Sequence, residues 1–184
     1  MSWINTPIIM GGGGLEIKRV LYYYDVPNGA GLWATVTLPT DCIYANCTVS
    51  INFKGSSYGE VNLLGYQYTS AANTISVKSN FASAVTFVIT EYVEGTFKSI
   101  QKGYVSMQYE HPNSYIYGQL AIANIATVEP NKSTVISHCF GRVPTAWSMP
   151  GYLNSDGNTL IAGIYKPQNW NGTISWFWNV IESL

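Results

Sequence analysis

Strict alternation of apolar and polar positions runs through most of this chain. In 32–38 the aliphatic Leu32, Ala34, Val36 and Leu38 alternate with Trp33, Thr35 and Thr37, and in 47–53 Cys47, Val49, Ile51 and Phe53 share one side. A period of two puts the aliphatic set on one face of a strand and turns the other set outward. The pattern predicts strands at 17–24, 32–38, 47–53, 61–68, 74–78 and 84–93, punctuated by Asn28-Gly29, Pro39 and a Gly-Ser loop at 55–59. Further strands are predicted at 104–109, 117–128, 134–140 and 173–182, with turns at 111–114 and 129–132. From 142 to 170 the chain is richer in proline, glycine and asparagine and reads as irregular. No window of a dozen residues carries the helical spacing of apolar positions, so the expected class is all-β.

The last strand, TISWFWNVIE at 173–182, is apolar on both faces: Trp176, Trp178 and Val180 alternate with Ser175, Phe177 and Asn179. A strand covered on both sides belongs in the middle of a sheet. A similar ending, TFVITEYVE at 86–94, closes the first half, which aligns Glu94 with Glu182. Three more pairs recur in the same order roughly 86 residues apart: Thr48-Val49 before Gly55 and Thr134-Val135 before Gly141, Gly65-Tyr66 and Gly151-Tyr152, Asn73-Thr74 and Asn158-Thr159. These anchors predict a duplication, two tandem jelly-roll-like β-sandwich units at 15–96 and 97–184, joined at Glu94-Gly95-Thr96. The competing reading is two unrelated β-domains that share common strand and turn residues. Units of about 85 residues are small, so each is expected to lean on a neighbour.

Ahead of the first unit, residues 1–14 read as a short flexible arm. Trp3, Ile4, Ile8 and Ile9 are candidate docking residues, and the four glycines at 11–14 form a swivel with high conformational freedom. The alternative is a frayed terminus.

Composition narrows the function. Only 10% of the 184 residues are charged, the formal net charge is −1, and aromatic residues make up 14%, with fourteen tyrosines and six tryptophans. That balance gives no long-range attraction to nucleic acid or to an anionic membrane. No run approaches the ~18 apolar residues of a membrane helix, and the opening MSWINTPIIM lacks the basic start and long apolar core of a signal peptide, so synthesis in the cytoplasm is expected. Cys42, Cys47 and Cys139 have no zinc-ligand spacing and read as packing residues, with Cys42 and Cys47 close enough in sequence to bridge under oxidising conditions.

Candidate chemistry is sparse. A nucleophile needs a base and an orienting partner, and the two histidines, His111 in a turn and His138 in a strand beside Cys139, lie in no catalytic motif. Neighbours in a strand point to opposite faces, so His138 and Cys139 cannot act as a dyad. Among ten carboxylates no pair stands out for acid–base work, and the glycine run lacks the lysine of a phosphate loop. The expectation is a non-enzymatic protein with no cofactor and no metal. Tyr115, Tyr117, Trp147 and Trp170 fall on expected loops or loop margins, where flat aromatic faces suit sugar rings or another subunit; the alternative is that they form the core of a loop-rich subdomain.

The two units, each closing on an aromatic strand of the form TISWFWNVIE or TFVITEYVE, resemble the small β-sandwich modules of tailed-bacteriophage virion proteins, those of tail fibres and tail tips above all. The resemblance implies a structural virion component, made in the host cytoplasm and working as a homo-oligomer, commonly a trimer, alongside other virion proteins. Contact with a host-surface glycan is compatible with it. The sparse charge also favours self-association, with the tyrosine-rich stretches 21–24 and 104–109 expected at contacts. Similar endings occur in lectin-like sandwiches, so a carbohydrate-binding protein is the alternative.

Overall fold

In the computed structural model residues 2–4, 14–55, 61–80, 82–109, 119–141, 147–165 and 172–184 are described. They form thirteen strands: β1 (Ser2–Ile4), β2 (Ile17–Pro27), β3 (Trp33–Thr37), β4 (Cys47–Gly55), β5 (Leu63–Thr69), β6 (Thr74–Ser79), β7 (Ala82–Tyr92), β8 (Ser99–Tyr109), β9 (Gln119–Asn124), β10 (Ser133–Gly141), β11 (Trp147–Leu153), β12 (Thr159–Tyr165) and β13 (Gly172–Glu182). Three single 3-10 turns, at Tyr44–Asn46, Ser70–Ala72 and Pro130–Lys132, are the only helical elements among the described residues. The class is all-β, as the alternation predicts.

Four antiparallel sheets carry these strands, in the orders β1-β2-β7-β4, β3-β6-β5, β10-β13-β8 and β11-β12-β9. Setting β1 aside, the two halves are wound identically. The first strand of each half pairs with the last (β2 with β7, β8 with β13), and the second pairs with the next to last (β3 with β6, β9 with β12). Such nested pairing, rolled into two facing sheets, is the winding of a jelly roll. In the first unit the inward residues of both sheets, among them Leu21, Val36, Ile51, Leu63, Val77 and Phe87, make one core. In the second, Trp176 and Trp178 of β13 pack with Ala162 and Leu160 of β12 across the space between the sheets.

Strand register fixes how the halves correspond. Val49 lies opposite Ile89 and Val135 opposite Val180; Cys47 lies opposite Glu91 and Ser133 opposite Glu182. The pairs Thr48-Val49 with Thr134-Val135 and Asn73-Thr74 with Asn158-Thr159 are therefore true equivalents. In both halves the asparagine carbonyl accepts the N–H that follows the second strand, from Leu38 and from Ile125. The closing glutamate is a correction: the equivalent of Glu182 is Glu91, not Glu94, because β7 ends at Tyr92. Gly65-Tyr66 and Gly151-Tyr152 also slip by one, because each lies by a bulge in its strand, between Leu63 and Gly65 and between Met149 and Tyr152.

The stretch expected to be irregular, 142–170, holds two strands, β11 and β12. Proline is tolerated in β11 because this strand is at a sheet edge and Pro150 sits in its bulge, where no ladder hydrogen bond is needed.

Candidate functional site

The seam between the units is built by β13. As expected from its two apolar faces, β13 is the central strand of its sheet and every described side chain from Ile174 to Glu182 is buried. Its even-numbered residues from Ile174 to Val180 face the second unit's own core. Its odd-numbered residues face the first unit. Phe177 is fully buried in the first unit's core cluster, 4.7 Å from the Tyr66 ring.

On either side of Phe177 polar side chains close the open edges of the first sandwich. β4 and β5 are edge strands whose outward N–H and C=O groups need partners. The Asn179 amide supplies them for β4: Val49 N–H donates to Asn179 Oδ1 at 2.9 Å, and Asn179 Nδ2 donates to the Val49 carbonyl at 2.9 Å. On β5 the Leu63 carbonyl accepts from the Ser175 hydroxyl at 2.8 Å, and that of Leu64 from the Tyr104 hydroxyl at 3.4 Å. Two alternate residues of one strand thus cap two different strands, with the Phe177 ring between them.

Lys102, opposite Asn179 on β8, extends the seam. Its Nζ donates to the Tyr44 carbonyl at 3.1 Å and stands 4.0 Å from the Tyr44 ring centroid. Burial pushes its ammonium down to about 8. Tyr44 in turn stacks on Tyr68 at 3.7 Å, and its hydroxyl bonds to that of Tyr66 at 2.6 Å. Burial raises the Tyr44 phenol to about 12. Beneath this cluster the Cys42 and Cys47 sulfurs lie 3.7 Å apart as free, buried thiols.

Between β4 and β10 the seam holds a cleft of about 690 Å³ lined by Ser50, Asn52, Phe53, His138 and Phe140 among others. Phe53 and Phe140 meet edge to face at 5.0 Å across it. The Ser50 hydroxyl lies 3.2 Å from His138 Nε2, and desolvation lowers the His138 pKa, which favours the neutral ring. Among the described residues no carboxylate hydrogen-bonds to His138. Cys139 packs with Trp176 on the other side of the sheet, the opposed arrangement that strand geometry demands. Among the described residues no three histidine, cysteine, aspartate or glutamate side chains gather to hold a metal ion. The contacts shown across the seam bind the two units to each other.

Tyr115, Tyr117, Trp170, His111, Ile8 and Ile9 fall outside the described residues; the backbone of Trp147 starts β11. Trp3 and Ile4 lie in β1, which adds to the free edge of the chain's own β2 with Trp3 opposite Leu21 and Ile4 opposite Val20. Tyr44, Lys102, Phe177 and Asn179 were not candidates. Only the double-sided apolar pattern of β13 signalled that a second surface covers it.

No protein-family model, curated protein or solved structure matches this chain.

Proposed function

We propose that the chain is a non-enzymatic structural component of a tailed-phage virion, a tail-fibre, adaptor or decoration module. It is made in the host cytoplasm, assembles with itself, as a trimer before any other number, and attaches to other virion proteins through residues 1–10. The observation that carries this reading is the seam. Phe177 completes a core that belongs to the other unit, and Asn179 and Ser175 hydrogen-bond to that unit's edge strands, so two small sandwiches are fastened into one body. Jelly-roll winding is itself common in capsid and lectin domains, an analogy at the level of fold.

A second support is the β1–β2 pairing. A three-residue strand reached through a glycine-rich tether adds to an open sheet edge. The same pairing made to a second copy would join subunits by strand addition. Deleting residues 1–10 is expected to leave both sandwiches folded and to stop incorporation into particles. Normal incorporation of the truncated chain would refute the attachment role.

The lectin-like alternative is favoured by a different surface, the outer face of the β3-β6-β5 sheet.

A further inference from the structure

The inner residues of the β3-β6-β5 sheet, Ala34, Val36, Ile75 and Val77, are buried in the first unit's core. Its outer residues therefore form a surface pointing away from the core, and the register sets them in three rows. The first row is Trp33, Lys78 and Gly65, one from each strand; the second is Thr35, Ser76 and Gln67. A third row consists of three threonines, Thr37, Thr74 and Thr69. Lys78 is the single charged residue of these nine positions.

Trp33 is the unusual member. It starts on β3, yet a Cβ on Gly65 of β5 would stand 2.8 Å from its Cη2. β5 lies two strands away, roughly 9.5 Å at the usual spacing, so the indole can reach it only by lying down across the sheet over β6. Covering a strand glycine in this way stabilises the sheet, which accounts for the side turned towards Gly65. It also leaves Trp33 43% exposed. Beside the ring, Thr35 and Gln67 are exposed, and the Thr35 hydroxyl is fixed 2.8 Å from that of Ser76.

We propose that this face binds a neutral glycan, with one pyranose ring stacked on Trp33 and the hydroxyls of the adjoining ring hydrogen-bonded by Thr35, Gln67 and Lys78. The C–H face of a pyranose is apolar and slightly positive, which complements the negative face of an indole. Its equatorial hydroxyls need donors and acceptors without net charge, which hydroxyl and amide side chains supply. An apolar protein partner would find one aromatic ring amid hydroxyls here, and an anionic polymer would find a single cation. The proposal rests on the lectin-like alternative, to which it gives a specific ligand class and surface, and it needs neither a particular oligomer nor the N-terminal arm.

The test is a titration of the ¹⁵N-labelled full-length protein with soluble oligosaccharides of neutral hexoses and of N-acetylhexosamines, following the indole N–H resonances. Trp33→Phe assigns the Trp33 signal. The expected result is a saturable shift of that signal by at least one probe, with affinity falling about tenfold or more in Trp33→Ala, falling less in Gln67→Ala and retained in Trp33→Tyr. Thermal unfolding of each variant separates loss of the platform from loss of the fold. No shift with any probe, or binding that survives Trp33→Ala intact, overturns the proposal. Either result leaves the virion reading standing, because that is decided by assembly and incorporation.

Discussion

Glu91 on β7 and Glu182 on β13 are one structural position occurring twice. Each is buried, each accepts a lysine Nζ (Lys18 at 3.0 Å, Lys98 at 2.8 Å), and each accepts the backbone N–H of the residue before a 3-10 turn (Ile43 at 3.1 Å, Glu129 at 2.9 Å). Glu91 through Lys18, and Glu182 through Lys98 and Ser99, thereby tie the start of β2 and of β8 to the turns leading into β4 and β10. Arg19 adds a further ion pair to Glu91 and reaches on to Asp41.

Both glutamates are therefore expected to be needed for folding. Glu91→Gln breaks two ion pairs at a buried site and should cost on the order of 3 kcal/mol in urea unfolding. Glu182→Gln should act in the same direction and also change the acid limb of stability. Burial alone would raise the Glu182 carboxyl, but hydrogen bonds from Lys98, the Glu129 N–H and Ser99 outweigh it, and its pKa is lowered. A depressed folded pKa contributes stability that is present above the unfolded value and lost as pH falls through the folded one. The variant should be less stable at neutral pH and lose less on acidification. An acid limb as steep as that of the parent would contradict this role.

The seam predicts coupled unfolding. Phe177→Ala should cost about 3–5 kcal/mol and destabilise the first unit although the residue belongs to the second. Asn179→Leu leaves the Val49 N–H and C=O without their partner and should cost about 1–3 kcal/mol for each group. Hydrogen exchange at β4 amides reads this out: opening confined to the second unit would show that the units do not share a core.

Gly103 and Trp178 face each other across β8 and β13, and a Cβ on Gly103 would stand 2.8 Å from the Trp178 ring. Gly103→Ala should destabilise by about 1–3 kcal/mol through overpacking. Trp176→Ala or Trp178→Ala should cost about 3–5 kcal/mol. Losses under about 1 kcal/mol for either tryptophan would place it outside the core.

Lys102 gives the seam a pH dependence of the same sign as that of Glu182, because both folded pKa values are lowered, but in an alkaline window. Its folded pKa of about 8 lies below the ordinary lysine value near 10.4. Between these values the unfolded chain holds the extra proton, so this contribution to stability grows as pH rises from about 8 to about 10. Lys102→Met should remove that rise, and the difference between parent and variant isolates it from the Cys47 and Tyr44 titrations. An identical pH profile for the two proteins would contradict the desolvated lysine.

Alternation made β3, β4 and β6 legible almost residue for residue, because each presents one apolar face to one core. β11 and β12 were not legible: Pro150 and Gly151 lie in an edge-strand bulge, where composition resembles a loop although pairing persists. Its place at the end of an aromatic run aligns Glu94 with Glu182 in sequence, whereas the register, set by hydrogen bonding to β4 and β10, selects Glu91. The site was legible only by half. The two apolar faces of β13 announced a covered second side, but Tyr44, Tyr66 and Lys102, which meet there, come from separate parts of the chain with no local signature.

The proposed assembly is tested most directly by sedimentation velocity of the full-length protein across micromolar concentrations, beside a chain lacking residues 1–10. The account predicts one closed oligomer, at three times the 20.3 kDa of the chain, and its weakening or loss in the truncated form. A single 20.3 kDa species at every concentration would contradict it.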